Sequence, residues 1–352
     1  MTIIKIGGEE FNILVEGNEN RQVLMLSNPL GTNLHFWDPQ IPVLLKHFRI
    51  VRYDSRGHGK TLADHGPYSI EQLGRDALGI TDGLGIEKVH WLGLSKGSMV
   101  GLWLLIHARS RIGRAVLAST AAQMPGPDLW NSRIQSAWDY GMEGPAAAAA
   151  DRWFTKRFRH SEPAKVERVL AMVRATSVHG YVASCAALRD MDLREAIRDI
   201  TNEVLVIAGR DDMSTPQGIG ALVARSIKGA KLVTLEAPHM SSIEDETNFN
   251  RVVLDFLTAP ETVLTKASLR GKPATKMAAT AETPACKTAA EKALAKKVTL
   301  KHKTEQKGAT NQAAGEKTTA RKAPTKTKRS VRNAIAKKKI SAAKKTARRR
   351  KE

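Results

Sequence analysis

The sequence predicts an α/β protein: a mostly parallel sheet of eight strands with crossover helices, a helical insertion, and a separate basic tail. Three observations predict it. Short apolar runs alternate with helical patterns through the first half of the chain, the change of period expected of strand–helix–strand units. The strand signal stops between about residues 121 and 196 and resumes at Glu203. Charge also divides the chain, because residues 261–352 hold 27 Lys and Arg against 6 Asp and Glu, whereas residues 1–260 hold 29 of each.

The formal net charge of +21 therefore belongs to the last quarter of the chain. All 17 aromatic residues lie before residue 261. Residues 1–260 are predicted to form one globular unit, and residues 261–352 a disordered Lys/Ala-rich tail without the apolar surface to build a core. Two cysteines, Cys185 and Cys286, exclude a disulfide scaffold and a cysteine-rich zinc site. The N-terminus lacks the apolar core of a signal peptide, and no run approaches a membrane span. The expectation is a cytoplasmic protein that does not enter a membrane.

Candidate strands are Ile3–Ile6, Phe11–Val15, Gln22–Leu26, Arg49–Tyr53, Lys88–Leu92, Arg114–Leu117, Glu203–Ala208 and Lys231–Leu235. A helix is predicted to start at Ser69, where Ser69-Ile70-Glu71-Gln72 fits a capping box. Another follows Ser95 through Met99, Leu102 and Leu105 to about Ala108, and a last one spans about Ile243 to Leu257. The insertion carries Trp130, Trp138, Trp153, the run Ala146–Ala150 and the helical spacing Val166, Leu170, Val173.

The chemistry-bearing motif is Gly93-Leu94-Ser95-Lys96-Gly97, a G-x-S-x-G between an apolar strand and a helix. That context is the strand–turn–helix that holds a serine proud of a sheet. Glycines suit the tight turn, and the helix N-terminus favours an anion beside Ser95. A serine needs a base and an orienting acid to act as a nucleophile. His239 follows strand Lys231–Leu235 and is the only histidine between His179 and His302, so it is the candidate base. Asp211 and Asp212 follow strand Glu203–Ala208 and compete for the acid role, with Asp212 preferred and a helix cap near Pro216 as its plainer role. His58 and His90 are expected to be structural. Two backbone N–H donors are needed for an oxyanion. Lys96 supplies one. Pro29 has no N–H, so Leu30, in the loop Ser27-Asn28-Pro29-Leu30-Gly31-Thr32, is the other candidate.

These residues resemble the α/β-hydrolase superfamily, and within it the 3-oxoadipate enol-lactonase family, over about residues 10–257. The resemblance rests on Leu26–Thr32, Phe48–Gly59, Gly66–Leu73 and Gly93-Leu94-Ser95, and in the insertion on Arg152-Trp153-Phe154-Thr155, Tyr181, Cys185 and Asp192-Leu193-Arg194. It implies an α/β-hydrolase fold, an acid at Asp212, Leu30 as oxyanion donor, and hydrolysis of an enol-lactone in the β-ketoadipate route of aromatic degradation. It implies no metal and no organic cofactor. The implied substrate carries a carboxylate, for which Arg133 and Lys96 are candidate partners. Trp130 and Trp153 are candidate pocket walls, with a core role the plainer reading of each. The chain departs from the family pattern at Lys96, where an apolar residue such as Met is usual, at Ser98 in place of Gly, and at Pro29 in place of Ser.

Other readings share the motif. Another esterase, lactonase or cofactor-free perhydrolase would use the same residues on the same fold. The tail resembles histone-H1-like Lys/Ala-rich tails, which implies nonspecific binding to nucleic acid or another polyanion through residues 261–352. Without aromatic residues the tail has no base-stacking platform.

Overall fold

The structure, a computed structural model, describes residues 2–62 and 66–260. The expected tail, 261–352, lies outside the described residues. Eight strands form one sheet: β1 (Thr2–Ile6), β2 (Glu9–Glu16), β3 (Val23–Ser27), β4 (Arg49–Tyr53), β5 (Val89–Leu94), β6 (Ile112–Ala118), β7 (Val204–Gly209) and β8 (Lys231–Leu235). Their order is β1-β2-β4-β3-β5-β6-β7-β8. β2 runs antiparallel to both neighbours, and β4, β3, β5, β6, β7 and β8 are parallel.

Every residue of β3 and of β7 is buried. Helices cover both faces of such central parallel strands, so they read as unbroken apolar runs. The edge strands β1 and β8 are half-exposed and alternate less cleanly. The eight expected strands are all present: Arg49–Tyr53 and Lys231–Leu235 keep the expected bounds, and the others differ by one or two residues at an end.

Helix Ile70–Gly83 begins where the Ser69 hydroxyl accepts the Gln72 amide at 3.1 Å, the cap expected from the sequence. Helix Lys96–His107 buries ten of its twelve residues, as a helix packed between sheet and neighbours must. The last expected helix is two: Ser241–Glu244 and Glu246–Leu257, broken at Asp245, whose backbone is not helical. Among the described residues no helix is long and apolar enough to cross a membrane.

Between β6 and β7 the chain forms helices Pro127–Tyr140, Glu143–Trp153, Lys156–Ser161, Pro163–Ala175 and Val178–Asp190. The two ends of this insertion meet. Gln123 and Asp192 form an isolated antiparallel bridge, and the Leu193 amide donates to Ala122 O at 2.8 Å. The insertion is also tied to the sheet side. The Thr155 amide and hydroxyl donate to Glu244 at 3.0 and 2.5 Å, and the Met240 amide donates to Trp153 O at 3.2 Å.

Candidate active site

Four loops at the C-terminal edge of the parallel strands converge. They follow β3, β5, β7 and β8 and carry Leu30, Ser95, Asp212 and His239 in turn. That edge is where open α/β sheets place ligands.

Ser95 sits between β5 and helix Lys96–His107 with φ 55° and ψ −116°. Only one other non-glycine described residue, Ser119, has positive φ. Such a backbone costs about 1–3 kcal/mol and persists only where its surroundings fix it. The Ser95 amide donates to Ala118 O at 2.9 Å, and the Ser98 hydroxyl lies 2.7 Å from both Gly93 O and Ala118 O. The flanking glycines are needed for space. A Cβ on Gly97 would lie 2.1 Å from Ser27 O, and one on Gly93 would lie 2.4 Å from the Gly97 carbonyl. The hydroxyl of Ser98, a departure from the family's glycine, thus braces the turn.

His239 Nδ1 lies 2.8 Å from Asp212 Oδ2, with both side chains buried. A carboxylate only accepts, so Nδ1–H donates and Nε2 is left as an acceptor. Asp212 Oδ1 accepts the Ser214 and Thr215 amides at 2.8 Å, and Oδ2 also accepts the Thr215 hydroxyl. Burial by itself would raise the Asp212 carboxyl. The His239 charge and the bonds from His239 and Thr215 outweigh burial and hold it below the usual carboxylate range. Asp211 contributes its amide to Ala237 O and lines a different, open groove with Glu236 and Glu244.

Ser95 and His239 line one pocket, together with Leu30, Met99 and Thr215. The Leu30 and Lys96 amides make no hydrogen bond to the protein among the described residues. Trp130 and Trp153 are both buried and both line the pocket, and the Trp153 ring lies 6.2 Å from that of His239. The two readings of these tryptophans, wall and core, are one arrangement.

Arg133 and Arg152 also line the pocket. Neither has a hydrogen bond or ion pair among the described residues, and the Nε of each is buried without a partner. The Arg133 guanidinium stacks over Trp130 at 4.6 Å. Burial, and then the charge of Arg133, push Arg152 below the usual guanidinium range. Two cations thus share an apolar pocket without a carboxylate bonded to either. Lys96 differs. Its side chain is fully buried and is not among the residues lining the pocket, so of the two cations expected from sequence only Arg133 is there.

His58 and His90 hold backbone. His58 Nδ1 donates to Arg56 O and Nε2 accepts the Gly31 amide, each at 3.0 Å. His90 Nδ1 accepts the Arg114 amide at 2.9 Å. Sequence reasoning missed three residues. Arg152 lies inside a quartet quoted for the resemblance, but nothing marked its direction. Thr215 binds Asp212, and Ser119 donates to His239 O at 2.9 Å. Short polar residues just after strand ends were the available signal for the last two.

Comparison with known proteins agrees with this architecture. The family model described as alpha/beta hydrolase fold matches residues 22–246. The 3-oxoadipate enol-lactonase 2 of Acinetobacter baylyi is 36% identical over 242 residues, covering 69% of this chain and 91% of that protein. The crystal structure of the enol-lactonase from Burkholderia xenovorans LB400 is 38% identical, covers 73% of this chain and 100% of that one, and superposes with a TM-score of 0.72. A hydrolase from Pseudomonas aeruginosa PA01 is 42% identical over 73% of this chain and 98% of that one, also at a TM-score of 0.72. With its eight-stranded sheet and its serine at a sharp strand-to-helix turn, the chain belongs to the alpha/beta hydrolase fold family.

Proposed function

We propose that the chain hydrolyses 3-oxoadipate enol-lactone, or a lactone closely like it, through an acyl-enzyme. The carrying observation is the pair Arg133 and Arg152, without an ion pair or hydrogen bond among the described residues, in the pocket that Ser95 and His239 share. Cations left without protein partners in an apolar site suit a substrate that brings its own carboxylate. The identity to enol-lactonases supports the same reading.

In this reading Ser95 Oγ attacks the lactone carbonyl and its proton passes to His239 Nε2. Asp212 keeps the imidazole in the tautomer that can accept it and stabilises the imidazolium. The Leu30 and Lys96 amides stabilise the oxyanion. Collapse breaks the ring C–O bond. The ring oxygen leaves as an enolate, which takes the proton held by His239 and ketonises. Water then attacks the acyl-serine and gives a proton to the freed His239, which passes it to Ser95 Oγ as the diacid is released. The chemistry uses no metal or organic cofactor. Loss of the enol-lactone absorbance should follow the wild-type chain and not Ser95→Ala, and equal rates would remove Ser95 from the mechanism. A panel of neutral aryl esters and lactones separates this reading from a general esterase or perhydrolase.

Residues 261–352 support a second, separate proposal, nonspecific binding of nucleic acid. Its support is the density of charge, 27 Lys and Arg against 6 Asp and Glu. Polycations release counterions from phosphates and bind with steep salt dependence. A salt titration with DNA, comparing the full chain with one ending at Pro260, tests it. Unchanged affinity would end the proposal.

A further inference from the structure

Ser119 directly follows β6 and has φ 51°. Residues with a Cβ rarely adopt positive φ, and glycine adopts it freely. Ser95 and Ser119 are the two non-glycine described residues that hold it. Strain of this kind persists where the surroundings fix it, and it gathers at working sites. A glycine at 119 would relieve the backbone and forfeit the hydroxyl, so what serine adds there is its hydroxyl.

That hydroxyl is buried and donates to His239 O at 2.9 Å. The peptide unit after His239 is thereby held at both ends. Its carbonyl accepts from Ser119, and its N–H, that of Met240, donates to Trp153 O at 3.2 Å. The Trp153 ring also stacks on the His239 imidazole, with centroids 6.2 Å apart and 28° between the planes.

Ser119 is itself fixed to the sheet, where its amide donates to Ile207 O of β7 at 2.8 Å. The residue before it does the matching work for the serine turn. Ala118 O accepts the Ser95 amide at 2.9 Å and the Ser98 hydroxyl at 2.7 Å. Two consecutive residues at one strand end therefore hold both Ser95 and His239, the first by a main-chain carbonyl and the second by a side chain.

Asp212 acts on the ring of His239, through Nδ1. Ser119 acts on the main chain from which that ring hangs. A ring bonded at one nitrogen still swings with its backbone, and a displacement of about 1 Å costs a reaction about a hundredfold in rate.

We propose that Ser119 is a positioning residue for the base: its hydroxyl, bonded to the His239 carbonyl, fixes the main-chain anchor of the imidazole relative to the turn that carries Ser95. The inference rests on the role given above to His239, but its first readout does not.

The test uses the full-length chain and two variants. Ser119→Ala removes the hydroxyl and keeps a Cβ at positive φ. Ser119→Gly removes the hydroxyl and the strain together. The first readout is proton NMR of the His239 Nδ1–H that donates to Asp212. Both variants should exchange that proton with water at least about tenfold faster than wild type. The second readout is lactone kinetics. In both variants kcat should fall about ten- to a hundredfold. KM should stay within about threefold of wild type, because Arg133 and Arg152 are untouched. A merely structural serine would behave otherwise, since Ser119→Gly, freed of strain, would keep its turnover. Three results each overturn the proposal: wild-type exchange of the Nδ1–H in the variants, kcat within about twofold of wild type in either, or a loss confined to KM. If Ser119→Ala does not fold, Ser119→Gly carries the comparison alone. Absent lactone turnover in the wild type would count against the proposed reaction and leave the NMR result to decide the role of Ser119.

Discussion

His239 Nδ1 donates to Asp212 Oδ2 at 2.8 Å, and Asp212 is held on its other side by the Ser214 and Thr215 amides. In Asp212→Asn the side-chain oxygen would stay with those amides and the NH₂ would face His239. The ring would then accept at Nδ1 and carry its proton on Nε2, where the proposed reaction needs an acceptor. We expect kcat to fall roughly 10⁴-fold with the melting temperature little changed, measured by steady-state kinetics and thermal unfolding.

Ser95→Gly separates stability from turnover. The backbone at φ 55°, ψ −116° costs a serine about 1–3 kcal/mol, more than the roughly 0.5–1 kcal/mol that added chain freedom costs a glycine. The variant should be about 1 kcal/mol more stable to urea, and devoid of lactone hydrolysis. A destabilised Ser95→Gly would mean that the turn stores no strain.

Arg133→Met and Arg152→Met should act on binding and only for charged substrates. A hydrogen bond to a charged group contributes about 1.5–3 kcal/mol, so KM for a carboxylated lactone should rise about ten- to a hundredfold. KM for an uncharged aryl ester should stay within about twofold of wild type. A uniform rise for both substrates would assign the arginines to packing.

Lys96 also makes stability depend on pH. Its folded-state pKa, about 7, lies below the ordinary 10.5. Between these values the unfolded chain binds more protons, so stability should rise with pH across that window; below about 7 the burden of the buried charge is complete. The displacement corresponds to roughly 5 kcal/mol. Lys96→Met should remove the slope and be more stable than wild type at neutral pH, as measured by denaturant unfolding at about pH 6 and about pH 9.

The sheet was legible in the sequence because its central strands are buried on both faces and carry uninterrupted apolar runs, as β3 and β7 do. Ser95 and His239 were legible as residues at strand ends, where G-x-S-x-G and the lone histidine stand out. The direction of long side chains was not. Lys96 and Arg152 are both cations on helices, yet only Arg152 lines the pocket. Three-dimensional packing decides which way a flexible stem turns. The break at Asp245 falls within the polar run Glu244–Asn248, between Ile243 and Phe249, where no apolar spacing reports on the backbone.

The bridge between Gln123 and Asp192 closes the insertion at a single neck. The insertion supplies Trp130, Arg133, Arg152 and Trp153 to the pocket, while the sheet loops supply Ser95 and His239. The pocket is thus lined by two segments that share one covalent neck and are further tied by the Thr155–Glu244 and Met240–Trp153 hydrogen bonds. Doubling the length of chain beyond such a neck adds only about 0.6 kcal/mol of closure entropy. The insertion is in effect a cassette: a different helical segment spliced at this neck would re-specify the substrate and leave the serine turn untouched.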